Sequence, residues 1–268
     1  MTPQLLSIPF HASILAENDA GASLASGDVR EVFPLASVTK LFTAYSALIA
    51  ISRGLVTLSA PAPYPGVTLE HLLSHASGMA MGERAITRPP GTRRIYSNAG
   101  IEAAADMLEE ATGTEIGRWI EETIAEPLGL TSLTVEGSPA YSGYAHAEDL
   151  MLFARELSHP TLISAELLDL ATTVHFPYLD GIVPGYGNFR PCPWGIGAEI
   201  KGEKQAHWTA PSSSGKTFGH FGQSGSFLWV DPLSGERAVF LGEEPFGPWH
   251  RDNWSALNEE ILHAMRGQ

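Results

Sequence analysis

A chain of 268 residues, 44% of them hydrophobic, has enough apolar surface to fold on burial alone, without a disulfide or metal staple. Its single cysteine, Cys192, excludes an intrachain disulfide and fits a reducing compartment. Thirty acidic against sixteen basic residues give a net charge of −14, which repels phosphate backbones and anionic lipid, so neither nucleic acid nor a membrane is expected as a partner.

The stretch Met1 to His11 has no basic region, no sustained apolar core and no small-residue cleavage site, so no export leader is expected and a cytoplasmic location follows. Phe10 to Glu17 reads as a strand, Asn18 to Gly21 as a turn, and the weaker run to Phe33 as its partner. From Leu35 to Ile51 no Gly or Pro interrupts a strongly apolar run, which predicts a buried helix; it is too short and too polar at Thr43, Tyr45 and Ser46 to span a bilayer. A Pro-rich connector around Pro61 to Gly66 precedes a short helix, Leu69 to His75, with Thr68 as its cap.

The polar loop that follows carries Arg84, Arg88, Arg93 and Arg94, either a solvated basic loop or a lure for an anionic substrate. Helical spacing returns over Ala99 to Ala111, Ile116 to Ile124, Glu148 to Leu157 and Ser164 to Thr172, with acidic residues such as Glu102 and Asp106 reading as wet faces. The Gly- and Pro-rich run 180–193 and the Ser-rich run 202–215 read as loops. Strands are expected at Trp194 to Ile200, Thr217 to Gly222, Ser226 to Val230 and Arg237 to Gly242, and a closing amphipathic helix at Trp249 to Met265. Strands at both ends and helices between them predict an α+β fold. One antiparallel sheet built from both termini and flanked by helices forms a lobe of about 1–54 and 193–268, and a mostly helical lobe spans about 55–192, all within a single domain, 1–268.

The chemistry centres on Ser37 and Lys40. At i and i+3 on a helix start they share a face, so an amine can meet a hydroxyl that needs a base to become a nucleophile. Lysine serves as that base only if burial or a neighbouring cation lowers its pKa. Spacing alone is weak, since Ser213 and Lys216 repeat it in a Ser/Gly loop, and a serine at a helix start is commonly a cap.

Other motifs give Ser37 its context. Leu35-Ala36-Ser37-Val38-Thr39-Lys40, Leu72-Leu73-Ser74-His75-Ala76-Ser77-Gly78, Pro90-Gly91-Thr92 with Tyr96-Ser97-Asn98, and His220-Phe221-Gly222 running into Trp229 occur in that order. Together they resemble the serine β-lactamase and penicillin-binding-protein superfamily, in particular its class C-like branch, which includes esterases and D-amino-acid peptidases. The resemblance implies a β-lactamase/transpeptidase-like fold and no cofactor or metal. It implies Ser37 as the acyl-accepting nucleophile, Lys40 and Tyr96 as proton-transfer groups, and substrate contacts at Asn98, His220, Gly222 and Gln223. The N–H groups of Ser37 and Gln223 would form an oxyanion hole. A phenolate at Tyr96, held among donors, could act as a base near neutral pH.

The sequence departs from penicillin-binding relatives in the third motif, where His220 stands for the usual lysine and Phe221 for the hydroxyl residue. Recognition of a β-lactam carboxylate is therefore in doubt, and His220 is either a substrate contact or structural. Three other patterns mislead. His71 and His75 have zinc-ligand spacing but Leu72 stands where glutamate is required; Gly215-Lys216-Thr217 lacks a phosphate loop's first glycine; and Tyr186-Gly187-Asn188 repeats Tyr-x-Asn without a following helix. The expected function is a serine hydrolase that cleaves a small ester or amide, possibly a D-amino-acid peptide, through an acyl-enzyme on Ser37. The alternatives are a penicillin-binding carboxypeptidase or β-lactamase, and a non-catalytic sensor of the same fold.

Overall fold

Alternating side chains commit the N-terminal segment to a sheet: in β1 (Ala12–Asn18), Ile14 and Ala16 enter one core while Leu15 packs on another. A turn leads into β2 (Ser23–Ser26), which pairs back on β1. The run to Phe33, expected in the same hairpin, instead leaves this sheet as β3 (Val32–Pro34). The structure, a computed structural model, describes residues 7–267; the first six residues of the stretch read for an export leader lie outside the described residues.

A 3-10 turn (Ala36–Val38) then leads into α1 (Thr39–Ser52). Regular helix begins four residues after the predicted start at Leu35, because Ala36 takes a left-handed backbone at φ 44° and the tighter turn follows it. Every α1 residue from Thr39 to Ala50 is buried, so this helix is the axis of the molecule.

Helix α2 (Leu69–Leu73) opens on Thr68, whose side chain accepts from the His71 N–H while the His71 ring accepts from the Thr68 N–H. It ends two residues short of the predicted His75, which turns left-handed at φ 58°. Helix α3 (Asn98–Thr112) is capped by Ser97 and stopped by a left-handed Gly113. Helix α4 (Ile116–Ile120) continues through a π-turn (Glu121–Ala125) into α5 (Glu126–Leu128). Strands β4 (Thr134–Val135) and β5 (Gly143–His146) join β3 in a small sheet ordered β3-β5-β4.

Helices α6 (Ala147–Glu156) and α7 (Ala165–Thr172) follow. The 180–193 run, read as loop, holds a hairpin of β6 (Gly181–Val183) and β7 (Gly187–Phe189). Of the strand expected from Trp194 to Ile200, only β8 (Glu199–Ile200) forms, Trp194 making isolated bridges to His175 and Glu199. The chain ends with β9 (Phe218–Gly222), β10 (Ser226–Asp231), β11 (Glu236–Gly242) and α8 (Pro248–Arg266).

The main sheet is antiparallel, ordered β2-β1-β11-β10-β9-β8, with Ala12 opposite Gly242, so both ends of the chain build it as expected. Its two faces follow from period-two alternation. Phe227, Trp229 and Phe240 pack on Trp254, Leu257 and Ile261 of α8, whereas Leu228, Val230, Val239 and Leu241 share a core with α1. The architecture is the expected α+β, β-lactamase/transpeptidase-like fold. It brings β9 against the turn that carries Ser37.

Candidate active site

Ser37 sits between β3 and α1, directly after the left-handed Ala36. The residues at the cap positions of the 3-10 turn and of α1 are Leu35 and Val38, so Ser37 is not the capping serine. Lys40 Nζ lies 3.2 Å from Ser37 Oγ, 2.7 Å from Asn98 Oδ1 and 2.8 Å from the Ala140 carbonyl. Burial pushes its pKa well below the usual lysine range, Glu102 opposing only in part. A neutral amine has two N–H bonds and one lone pair. Ala140 O and Asn98 Oδ1 can only accept, so they take both N–H bonds and the lone pair is left to the Ser37 hydroxyl. That is the geometry of a base-activated nucleophile.

Tyr96 lies just before α3, hydrogen-bonded to Ser37, with its ring centroid 4.8 Å from Lys40 Nζ. The expectation of a phenolate base is corrected here. Burial raises the Tyr96 pKa well above its ordinary value, with Glu199 adding to the effect and the Ser37 bond only partly offsetting it, so the group is a phenol and a proton donor at neutral pH. Asn98 opens α3 beside it, and its Oδ1 fixes Lys40.

The third motif departs further from expectation. His220 belongs to β9 and lines the cavity, yet its Nδ1 donates to the Phe221 carbonyl at 2.6 Å and its Nε2 is buried without a partner among the described residues. Burial, then Lys40, lowers its pKa to about 3, so it offers no cation at neutral pH. Gly222, expected as a substrate contact, is a packing residue: a Cβ there would fall 2.3 Å from Leu35 O and 2.5 Å from Ser226 Oγ, so only glycine lets β9 reach the Ser37 turn. Gln223 does line the cavity, its side-chain amide donating to Phe246 O.

Several residues around the site carry no motif signal. Ala140 contributes only a carbonyl. Glu199, from β8, lines the cavity and is paired with Lys204 at 2.9 Å, His207 at 3.0 Å and the Trp208 indole at 2.9 Å. These partners hold its carboxyl below the usual range despite burial. The decoys are structural: Ser213 Oγ donates to Ala210 O and accepts from Lys201, Tyr186 packs on Phe221 and Phe246, and His71 caps α2. Among the described residues no group of three His, Cys, Asp or Glu could hold a metal.

Arg94 is neither a solvated residue nor an anion lure. It is buried, its guanidinium donating to the carbonyls of Ser74, His175, Phe176 and Cys192. Burial lowers its pKa to about 10, so it remains charged at neutral pH. Arg94→Met should cost about 3 kcal/mol or more in urea unfolding, since it strands several buried acceptors at about 1–3 kcal/mol each.

These groups open on a cavity of about 350 Å³ walled by Met81, Tyr141, Val183, Pro184, Trp194 and Phe221. Among the described residues no Lys or Arg lines it. Among the described residues no helix is long and apolar enough to cross a membrane.

A family model described as Beta-lactamase matches residues 17–257. A solved structure described as a beta-lactamase from Mycobacterium bovis is 42% identical, covers 96% of each chain and superposes with a TM-score of 0.93. A variant of simvastatin synthase from Aspergillus terreus shares the fold at 19% identity, covering 97% of this chain and 95% of its own, with a TM-score of 0.77. Monacolin J acid methylbutanoyltransferase from Aspergillus terreus is 30% identical over 153 residues, 37% of this chain. That match spans 37% of the relative's own length.

Proposed function

The chain belongs to the beta-lactamase family, whose members are serine hydrolases or acyltransferases, and on that premise we propose that it cleaves a neutral ester or amide with an apolar acyl group through an acyl-enzyme on Ser37. The observation that carries the reading is Lys40 Nζ, 3.2 Å from Ser37 Oγ and held by Asn98 Oδ1 and the Ala140 carbonyl, so that as a neutral amine it turns its lone pair to Ser37. As Ser37 Oγ bonds to the substrate carbonyl carbon, its proton passes to Lys40, and the oxyanion is held by the N–H groups of Ser37 and Gln223. Collapse breaks the bond to the leaving group, which takes a proton from the Tyr96 hydroxyl. Tyr96 regains its proton from Lys40. Water then enters by the reverse route and releases the acid. Asn98 orients Lys40, His220 shapes the wall, and Gly222 lets β9 close on the Ser37 turn.

The substrate class rests on the lining. A largely apolar wall, with Glu199 as a carboxylate and no Lys or Arg among its described lining residues, gains free energy from an apolar acyl chain and would strip a substrate carboxylate of water with no cation to meet it. This argues against β-lactam or C-terminal carboxylate recognition, and the occupied proton machinery argues against a non-catalytic sensor. The test is a panel of a p-nitrophenyl butyrate, a D-alanyl anilide and a chromogenic cephalosporin, with peptide mapping of a fluorophosphonate adduct. A rate on the neutral ester at least about 100-fold above that on the cephalosporin, with the adduct on Ser37, is expected. Preference for the anionic substrate would reverse the assignment.

A further inference from the structure

We propose that His75 is the positioning residue for Tyr96, holding the backbone on both sides of it; the proposal rests on the acyl-enzyme reading. His75 follows α2 in a left-handed conformation, φ 58°, in which Asn, Asp and His are the enriched residues besides Gly, and it is wholly buried. Its carbonyl accepts from the Ile95 N–H at 2.9 Å, and its ring Nδ1 accepts from the Ser97 N–H at 3.2 Å. One residue therefore grips the positions immediately before and after Tyr96.

The ring adds a third constraint. It lies 4.6 Å from the Tyr96 ring and 4.8 Å, edge on, from that of Trp194. Trp194 in turn packs against both Tyr96 and His220, so the phenol is fixed in a cluster of four rings. A backbone N–H can only donate, so Nδ1 is unprotonated and the ring proton sits on Nε2. Protonation of Nδ1 would set donor against donor. Burial and the charge of Arg94 also disfavour it, so the clamp persists at neutral pH. Ser97, held by the same ring, caps α3 by accepting from the Gly100 N–H.

Asparagine is the informative replacement, because it tolerates the left-handed backbone and carries an acceptor at about the reach of Nδ1. Turnover of p-nitrophenyl butyrate is measured for wild type, His75→Asn, His75→Ala, Tyr96→Phe and the His75→Ala/Tyr96→Phe pair. His75→Ala should lower kcat about 30- to 100-fold with KM within about threefold, and His75→Asn should restore most of it. The double variant should be no slower than Tyr96→Phe alone, since a positioning residue has nothing left to position. Losses that multiply, or an Asn variant no better than Ala, overturn the proposal. If His75→Ala does not fold, His75→Asn carries the test: a retained kcat supports the role, and a kcat as low as that of Tyr96→Phe at unchanged Tm overturns it. Ser37→Ala separates the two levels. Multiplying losses in a protein that Ser37→Ala silences overturn the His75 role alone, whereas a Ser37→Ala variant or a Tyr96→Phe variant at the wild-type rate removes the reading on which it rests.

Discussion

Ser37→Ala should lose about 10⁴-fold or more in ester turnover and all fluorophosphonate labelling, with stability changed by less than about 1 kcal/mol. Both halves of that expectation follow from where the serine sits. As a nucleophile it cannot be replaced by a methyl group, and what remains is the oxyanion site and binding. As a structural element it does little, because the cap positions at this helix start fall on Leu35 and Val38. A capping serine would give the opposite signature, a loss of about 1 kcal/mol with turnover kept. Measuring kcat/KM beside a urea transition separates the two. Ser213, which repeats the spacing with Lys216, should be silent in the first assay, since its hydroxyl is committed to Ala210 O and Lys201.

How far the site could be read from the sequence depends on what kind of atom does the work. Ser37 and Lys40 were legible because the apolar run behind them forces a helix, and the i, i+3 relation survives even though Ser37 sits on a 3-10 turn, where such positions nearly eclipse. Asn98 was legible through its motif, but the Ala140 carbonyl was not, because a backbone oxygen leaves no mark on residue type. The motif marks Tyr96 but not its protonation state. Residue type gives the reference pKa, whereas the burial that raises it is a property of the assembled rings.

The loop arginines show the same limit. Four of them look alike by composition, and only the fold singles out Arg94 as a buried strut among carbonyls while Arg84 pairs with Asp106 at the surface. The short strands β4 and β5 escape a sequence reading because two to four residues cannot display a period, and for the same reason nothing in the run to Phe33 shows that β3 pairs outside the hairpin. The loss of a cation at His220 was readable, but not the direction of its nitrogens. One donates to a carbonyl and the other is sealed, so the residue shapes the wall more than it greets a substrate.

Lys40 should set the pH dependence of the reaction, and Lys40→Arg should lower turnover by about 10²- to 10⁴-fold. Arginine keeps a charge but has no lone pair at any working pH, so it can donate to Asn98 and Ala140 yet cannot take the Ser37 proton. On the proposed mechanism the base is the neutral amine, and burial holds its pKa below the usual range. Turnover should therefore fall as pH drops through the folded value of Lys40 and level off above it. His220 titrates at about 3 and Tyr96 above its ordinary range, so neither bends the profile between about pH 5 and 9. The same shift has a stability consequence. Between the folded value and the reference 10.5 the unfolded chain binds the proton and the folded chain does not, so this lysine's contribution to stability rises with pH across that window. Lys40→Met lacks that slope, and the wild-type minus Met difference in urea midpoints should grow in favour of wild type between pH 7 and pH 9.5. A flat difference would mean that Lys40 is an ammonium in the folded protein, and the rising limb of the rate profile would then belong to another group.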